Sequence, residues 1–420
     1  MLRLLQFGLI SALSAPALAA QFKQAALPNT PVMPTVRGEG AVKVMQHDRT
    51  AFSRATQLEL AGAPVTVAGG ADADPAFDLT NIRDAVLLSD GRIAAYSRIG
   101  SRFLLFAANG QPQRRIGRVG KGPGEFIRST GLVLMRSDTI FLYDDGNRRL
   151  NWALVDRGVV LNKPRGKGGE MSGSRSAGAL STGEIVLSSA SLVPQGERDR
   201  ITRPLADIAL LSRDGSARAL TGVPGMEVGM ALMRFPKRPY WTSALVRFGL
   251  RAVVTAWDLV VASGTGDRYR IDLRTPNDSP VARIMVDMQR RKVTAAMRDA
   301  ALAEELSRVR PQPNSEEVGG EFLKQFIRET PTADSLPPYS AFHVTPNKTL
   351  WVIDYIAPDD NGWSATAFRK DGAIVGRLRA ADKGVPLAFG DDRVVIRSED
   401  DDGVISLTVR RIGVASAKPK

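Results

Sequence analysis

The sequence predicts an all-β chain that folds as a six-bladed β-propeller with an inserted pair of amphipathic helices. Three observations lead to this prediction. Short runs are rich in Ile and Val, with apolar residues at every second position. Asp-Gly and Asn-Gly turns separate these runs. A unit of this kind recurs six times. Period-two runs joined by such turns are typical of antiparallel strands. A repeat of about 40 to 50 residues with four strands is typical of a propeller blade.

The clearest copy of the repeat begins at Asp90-Gly91, continues through the runs RIAAYS and RFLLFA, and reaches Asn109-Gly110. A third run, QPQRRIG, follows this turn, and a weaker strand at 82–88 precedes the copy and completes a set of four. The other five copies share this pattern and begin near Asp138, Thr182, Trp257, Asn347 and Asp391. Because a blade buries both faces only between neighbours, we expect the units to close into one ring.

The long segment after the fourth copy predicts two helices, because its apolar residues recur at helical spacing. Thr294 is placed to cap the first helix, and the second is expected to begin after Ser315. We expect both helices to cover one face of the ring. Their apolar faces are Leu302, Leu306 and Val309 in the first, and Phe322, Leu323, Phe326 and Ile327 in the second.

The N-terminus has the pattern of a secretory signal peptide. Arg3 precedes an apolar run, and Ala17-Leu18-Ala19 provides a small-residue cleavage site, so cleavage is expected after Ala19. The apolar run is shorter than the roughly 20 residues that span a bilayer. An uncleaved N-terminal anchor is the alternative interpretation.

The predicted organisation follows from these segments. Strand-like segments at 56–60 and 64–68 are expected to complete the last blade beside 404–411. The predicted segments are a signal peptide (1–19), an extended or disordered leader (20–54), a six-bladed propeller (55–413) with a helical insertion at about 290–332, and a loose tail (414–420).

Composition bears on the compartment and the partner. The chain has no Cys, and therefore neither a disulfide framework nor the cysteine of a lipid-anchored precursor. With the signal peptide, this predicts an exported protein, periplasmic or secreted, without a transmembrane segment. The net charge of +13 is scattered along the chain. It favours a protein, peptide or glycan partner, in some cases an anionic one, and no nucleic-acid motif accompanies it. The sequence does not determine the oligomeric state.

The link between the first and second copies reads IGRVGKGPGEF from Ile116 to Phe126. It resembles the G-x-x-G-x-G-P-G-E-F signature of NHL-like six-bladed propellers, a family found in many exported bacterial proteins. The segment at 164–171 keeps glycines and a Glu but lacks the Pro-Gly and Phe. The resemblance implies a structural link between blades, made by Gly120, Gly122, Pro123, Gly124, Glu125 and Phe126.

Other chemistries fit the residues less well. Lys121 is not followed by Ser or Thr and no helix follows it, so a phosphate-binding loop is disfavoured. We expect the glycines to provide positive φ and Glu125 to accept hydrogen bonds from backbone amides. The Asp clusters lack the spacing of a calcium loop and suit turns instead. With only His47 and His343, a site of three histidines for zinc is excluded, and both are expected to be structural.

We predict a non-catalytic binding or scaffold propeller of the bacterial cell envelope, which uses one propeller face to hold its partner and needs no cofactor. The alternative is a calcium-assisted hydrolase or lactonase with carboxylates at the axial channel, so the sequence leaves open whether the protein is an enzyme. Trp257 and Trp351 are expected in the core. The candidate ligand contacts are Trp363, Tyr355, Asp144 and Arg148.

Overall fold

The computed structural model describes most of the chain. The described residues are 30–70, 74–80, 82–97, 100–135, 138–164, 173–190, 201–234, 239–309, 318–382, 384–400 and 402–415. The predicted signal peptide, the start of the leader and most of the tail lie outside them.

The described chain consists mainly of β-strands. In chain order the first strands are β1 Thr35–Glu39, β2 Val42–His47, β3 Gln57–Gly69, β4 Ile82–Leu87, β5 Ile93–Ser97, β6 Arg102–Phe106, β7 Pro112–Ile116, β8 Arg118–Val119, β9 Glu125–Phe126, β10 Ser129–Leu134, β11 Thr139–Asp144, β12 Arg149–Leu154, β13 Val159–Pro164, β14 Arg175–Ala179 and β15 Ile185–Ser188. They are followed by β16 Leu205–Leu211, β17 Ala217–Pro224, β18 Val228–Met233, β19 Tyr240–Leu245, β20 Val253–Trp257, β21 Val260–Gly264, β22 Arg270–Arg274, β23 Pro280–Val286, β24 Tyr339–Val344, β25 Leu350–Asp354, β26 Trp363–Phe368, β27 Ile374–Ala380, β28 Val385–Phe389, β29 Arg393–Glu399 and β30 Ile405–Val414. The helices are α1 Ala51–Arg54, α2 Ala295–Ser307 and α3 Val318–Glu329, and a 3₁₀ turn covers Pro75–Phe77.

Within the described residues, 24 of these 30 strands form six antiparallel units of four strands. Unit 1 is β4–β7, unit 2 β10–β13, unit 3 β14–β17, unit 4 β20–β23, unit 5 β24–β27, and unit 6 β28–β30 with β3. The first strands contact one another in cyclic order, β4 with β10, β10 with β14, β14 with β20, β20 with β24, β24 with β28, and β28 with β4. The chain is therefore mostly β, in a nearly closed, propeller-like ring.

Burial explains why the second strand of each unit has the clearest sequence signal. All five residues of β5 are buried, and so are five of the six in β11. These strands lie between two other strands of their sheet and are covered on both faces, which requires a nearly continuous apolar run. The outer strand β7 is exposed at four of its five positions and is correspondingly polar.

The last unit is completed by the N-terminal part of the chain. Strand β3 pairs antiparallel with β30, from Leu58 opposite Val414 to Gly69 opposite Ser406. The prediction that this segment completes the last unit is confirmed by that register. Strand β3 also pairs in parallel with β27, and so joins units 5 and 6 into one eight-stranded sheet. The ring therefore closes by pairing an N-terminal strand with the last strand of the chain.

The described part of the leader differs from the extended or disordered segment expected for 20–54. Strands β1 and β2 form a hairpin, and β2 pairs in parallel with β23 of unit 4 from Lys43 to His47. The outer edge of β23 offers backbone donors and acceptors, and a short strand can satisfy them. Val44 and Met45 are buried at 0% and 1% exposure, which also stabilises the pairing.

The insertions pack on one another. Thr294 caps α2 by accepting a hydrogen bond from the Met297 amide at 3.2 Å. The buried face of α2 is centred on Met297 and Ala301, whereas Leu302 and Leu306 of the predicted face are only half-buried. Phe322 and Phe326 of α3 pack against the β18–β19 hairpin. The predicted start of the second helix after Ser315 lies outside the described residues. No helix in the described ranges is long and apolar enough to cross a membrane.

Candidate functional site

The glycine-rich link between units 1 and 2 is a tight loop closed by its own glutamate. Strands β8 and β9 pair in parallel across it. The carboxylate of Glu125 accepts hydrogen bonds from the Gly122 amide at 2.6 Å and from the Arg118 Nε at 2.7 Å. These bonds, that from Gly122 foremost, hold the pKa of Glu125 below its ordinary value. Glu125 thus has the backbone contact that its sequence context predicted.

The glycines of this loop are required by close contacts. Gly120 has a φ of +151°, and a Cβ at that position would lie 2.1 Å from the Glu125 Oε2. A Cβ on Gly117 would lie 2.3 Å from the ring of Phe126. Phe126 is fully buried and packs edge-on against Tyr96 and Phe103. The loop therefore anchors an aromatic side chain between two units.

Asp144, a predicted ligand contact, is used to hold this loop in place. Its side chain is fully buried and accepts hydrogen bonds from the amides of Ile127 and Arg128 at 3.0 and 2.9 Å. Asn147 donates to the Asp144 Oδ2 and to the carbonyl oxygen of Gly120, both at 2.8 Å. Asp144 is thus a structural residue and not an exposed contact. The sequence Asp144-Asp145 did not reveal this role, because the amides that donate to Asp144 lie about 16 residues earlier in the chain.

Two further candidates, Arg148 and Trp363, have opposite environments. Arg148 is exposed, with a left-handed φ of +51°, in the turn after β11. Trp363 was expected to be exposed but is only 4% exposed, and its ring meets Phe389 edge-on at 6.2 Å. It begins β26, where strand alternation turns the indole into the core between units 5 and 6. Trp257 and Trp351 are fully buried, as expected.

A central cavity of about 2200 Å³ lies along the axis of the ring and is lined by the first strands of all six units. Alternate units supply three of its polar groups: Asp84 from unit 1, Arg175 from unit 3 and His343 from unit 5. Arg175 and Asp84 form an ion pair. Sequence reasoning did not identify this group as a site, because its members are far apart in the chain and lie in the weakest strands.

His343 is a neutral group in this channel. Burial lowers its pKa to about 4, and the positive charge of Arg175 acts in the same direction. Its ring lies 5.7 Å from that of Phe389. The second histidine, His47, is buried in the leader with its Nε2 2.7 Å from the carbonyl oxygen of Gly372. The environment of His47 agrees with the structural role expected for it, whereas His343 lines the channel.

The carboxylates at the turns after the first strands tie neighbouring units together. Asp138 accepts hydrogen bonds from the amide and hydroxyl of Ser89 at 3.0 and 2.6 Å. Asp258 accepts from Lys370 and from the Ser181 hydroxyl, and these bonds lower its pKa. Within the described ranges, no group of three or more His, Cys, Asp and Glu side chains is placed to hold a metal ion.

The opposite end of the channel, here called the mouth, is where outer strands connect to the next first strands. The β18–β19 hairpin and helices α2 and α3 both lie in such connections. Arg247, which follows β19 and whose side chain is 7% exposed, connects them. Its guanidinium donates hydrogen bonds to both carboxylate oxygens of Glu305 at 3.0 and 2.6 Å, and to the Ile327 carbonyl at 2.8 Å. The hairpin and the helix pair, here called the cover, are therefore fixed to one another at this end of the ring.

Tyr355, the remaining candidate, lies at this mouth. It is half-buried, with its ring 6.5 Å from that of Phe248. Burial raises the pKa of its hydroxyl, and the positive charge of nearby Arg251 opposes part of that rise. Arg251 is exposed and lines the channel, and within the described contacts its guanidinium has no hydrogen bond or ion pair. Arg251 had not been singled out from the sequence.

Comparison with known proteins finds similarity in structure only. No protein-family model matches the chain, and no curated protein matches it in sequence. Similar solved structures include a Bacteroides fragilis protein described as exported (11% identical, covering 88% of this chain and 99% of that chain, TM-score 0.44). A member of the DUF4221 family from Bacteroides vulgatus is 12% identical, with 86% and 100% covered and a TM-score of 0.47. A gluconolactonase from Xanthomonas campestris is 11% identical, with 84% and 99% covered and a TM-score of 0.40.

Proposed function

We propose that the protein is an exported, six-bladed propeller of the cell envelope that binds a protein, peptide or glycan without transforming it. Each four-stranded unit is one blade, and the chain resembles the NHL-like kind in its Gly120–Phe126 link. The N-terminal signal pattern supports export to the periplasm or the exterior. The ligand enters the central channel at the mouth.

The observation that carries this proposal is the cover at the mouth end of the ring. A propeller ring needs only short connections between blades, yet here two connections contain a hairpin and a helix pair. The contacts of Arg247 with Glu305 and Ile327 fix these insertions to one another. Long connections held in place on a rigid scaffold are where binding residues concentrate. Tyr355 and Arg251 belong to the same end of the ring.

The size and charge of the channel favour a chain-like ligand with an anionic group. The cavity of about 2200 Å³ exceeds the roughly 300 to 1,000 Å³ that is common for small-molecule sites. It therefore has room for a segment of a peptide or a glycan. Arg251 lines the channel at the mouth and, within the described contacts, is not committed to another side chain, so we assign the anionic contact to it.

The channel groups suit binding better than hydrolysis. Asp84 is paired with Arg175, Asp138 with Ser89, and Asp258 with Lys370, so each of these carboxylates already has a partner. His343 is neutral at pH 7, and its low pKa makes it a poor general base. We therefore propose that the protein acts without a resident metal, in preference to the alternative of a calcium-assisted hydrolase or lactonase.

The proposal is tested by comparing binding and turnover in the same preparation. The purified protein is screened against an acidic-glycan array and a peptide library, and hits are measured by titration calorimetry. Arg251→Glu is expected to weaken binding about tenfold or more. Arg115→Glu, which changes charge by the same amount on exposed strand β7, should leave it unchanged. Calcium-stimulated turnover of lactones or esters, or binding that Arg251→Glu does not affect, would contradict the proposal.

A further inference from the structure

Strand β19, Tyr240–Leu245, is an edge strand at the outer side of the cover. It pairs with β18 from Leu245 opposite Val228 to Tyr240 opposite Met233. In the part of the chain that the structure describes, no strand pairs with its other edge. Trp241 is 38% and Leu245 45% exposed, and Ser243 is exposed between them.

The hydrogen-bond pattern shows which backbone groups face the open edge. Val228 exchanges two bonds of 2.9 Å with Thr202, so its amide and carbonyl point away from β19. Two residues directly opposite each other in an antiparallel pair either both direct their backbone groups towards the partner strand or both direct them away from it. Leu245 lies opposite Val228, so its amide and carbonyl point away from β18. The direction alternates along a strand, so the backbone groups of Ser243 and Trp241 face outward as well.

This edge is self-complementary. Trp241 and Leu245 lie two positions on either side of Ser243, and a second β19 strand can be laid antiparallel with Ser243 opposite Ser243 of the second copy. Trp241 then lies opposite Leu245 of the second copy, once on each side of the two-fold axis. Cross-strand pairs of an aromatic and an aliphatic side chain are favourable ones. The same patch serves both molecules, as a two-fold dimer requires.

The edge also lacks the protection that the outer strands carry. Proteins commonly block open edges with Pro, Lys or other charged residues. Strand β7 contains Pro112, Arg114 and Arg115, and β13 contains Lys163. Strand β19, YWTSAL, has no charged residue and no proline, in a chain whose net charge is +13. A second copy can therefore approach without like charges being placed opposite each other in the paired strands.

We propose that two copies of this chain associate through β19. The two hairpins then form a continuous four-stranded sheet with its two β19 strands at the centre, and the dimer presents two channel mouths. The occupant of the edge is a second copy because self-pairing places Trp241 against Leu245 on both sides of Ser243 and puts no like charges opposite each other. This proposal is independent of the binding function proposed above.

The oligomeric state of the full chain tests the proposal directly. Sedimentation velocity over a range of concentrations is expected to show a reversible dimer. Ser243→Pro removes one outward amide donor from each copy, and Ser243→Lys places two like charges opposite each other. Each change is expected to raise the dimer Kd about ten- to a hundredfold. Gln113→Lys, with the same added charge on β7, should leave the Kd unchanged.

A cross-link test does not depend on a destabilising substitution. Because the chain contains no Cys, Ser243→Cys introduces a single thiol. A short bis-maleimide should link two Ser243→Cys chains covalently and leave Gln113→Cys chains without a cross-link, as a denaturing gel shows. A protein that is monomeric at all concentrations overturns the proposal, as does a dimer that Ser243→Pro and Ser243→Lys leave intact. Association of the edge with an added peptide, and not with another copy, overturns it as well.

Discussion

Replacing His343 by Leu should remove an acid-sensitive contribution to stability. Burial, with a smaller effect of Arg175, lowers the pKa of this imidazole from 6.5 to about 4 in the folded protein. In the unfolded chain it returns to about 6.5. The folded state thus disfavours the protonated form. Stability is unaffected above pH 6.5 and falls as the pH decreases from 6.5 towards 4, where the unfolded state alone binds the proton.

The size of the effect follows from that difference in pKa. Each unit corresponds to about 1.4 kcal/mol, so the wild type should lose about 3 kcal/mol by about pH 4 through this group alone. Urea unfolding at pH 7 and at about pH 4 measures the loss in the wild type and in His343→Leu. Contributions from the carboxylates are common to both proteins and cancel in the comparison. With only two histidines in the chain, NMR titration can also follow the imidazole itself.

One result would refute this reasoning. If the free energy of unfolding falls by the same amount in both proteins between the two pH values, His343 is not held neutral by its surroundings. An NMR titration midpoint near 6.5 would lead to the same conclusion, because it would mean that the channel does not penalise the charge.

Three further outcomes are expected. Gly120→Ala should lower the free energy of unfolding by about 1 to 3 kcal/mol, because its Cβ would lie against the Glu125 carboxylate. Gly38→Ala is the control, because a Cβ there would have no atom within 4 Å, and thermal unfolding compares the two variants. Arg247→Met should leave Glu305 and the Ile327 carbonyl without their partner, and hydrogen exchange should show faster opening of α3 while β5 keeps its protection. Asp144→Ala should leave loop amides unpaired at a cost of about 1 to 3 kcal/mol, measured by urea unfolding.

Much of the ring could be predicted from local patterns. Strands such as β5 and β11 are buried on both faces, so their apolar runs are continuous and their turns are marked by Asp and Gly. The pairing of β3 with β30 was also predictable, because the last repeat lacked a fourth strand and a strand-like segment near the N-terminus could supply it. The Gly120–Phe126 link was recognisable because its glycines and Glu125 act within a few residues of one another.

The sequence by itself therefore determined the repeating strands, their turns and the tight loop, all of which depend on neighbours along the chain. Only the tertiary structure decided that Asp144 holds a loop, that Trp363 is buried, and that β2 extends unit 4. It also decided that Asp84, Arg175 and His343 line one channel. The physical reason is that burial and partner choice depend on ring closure, which brings together strands separated by many residues and has no signature in any one of them.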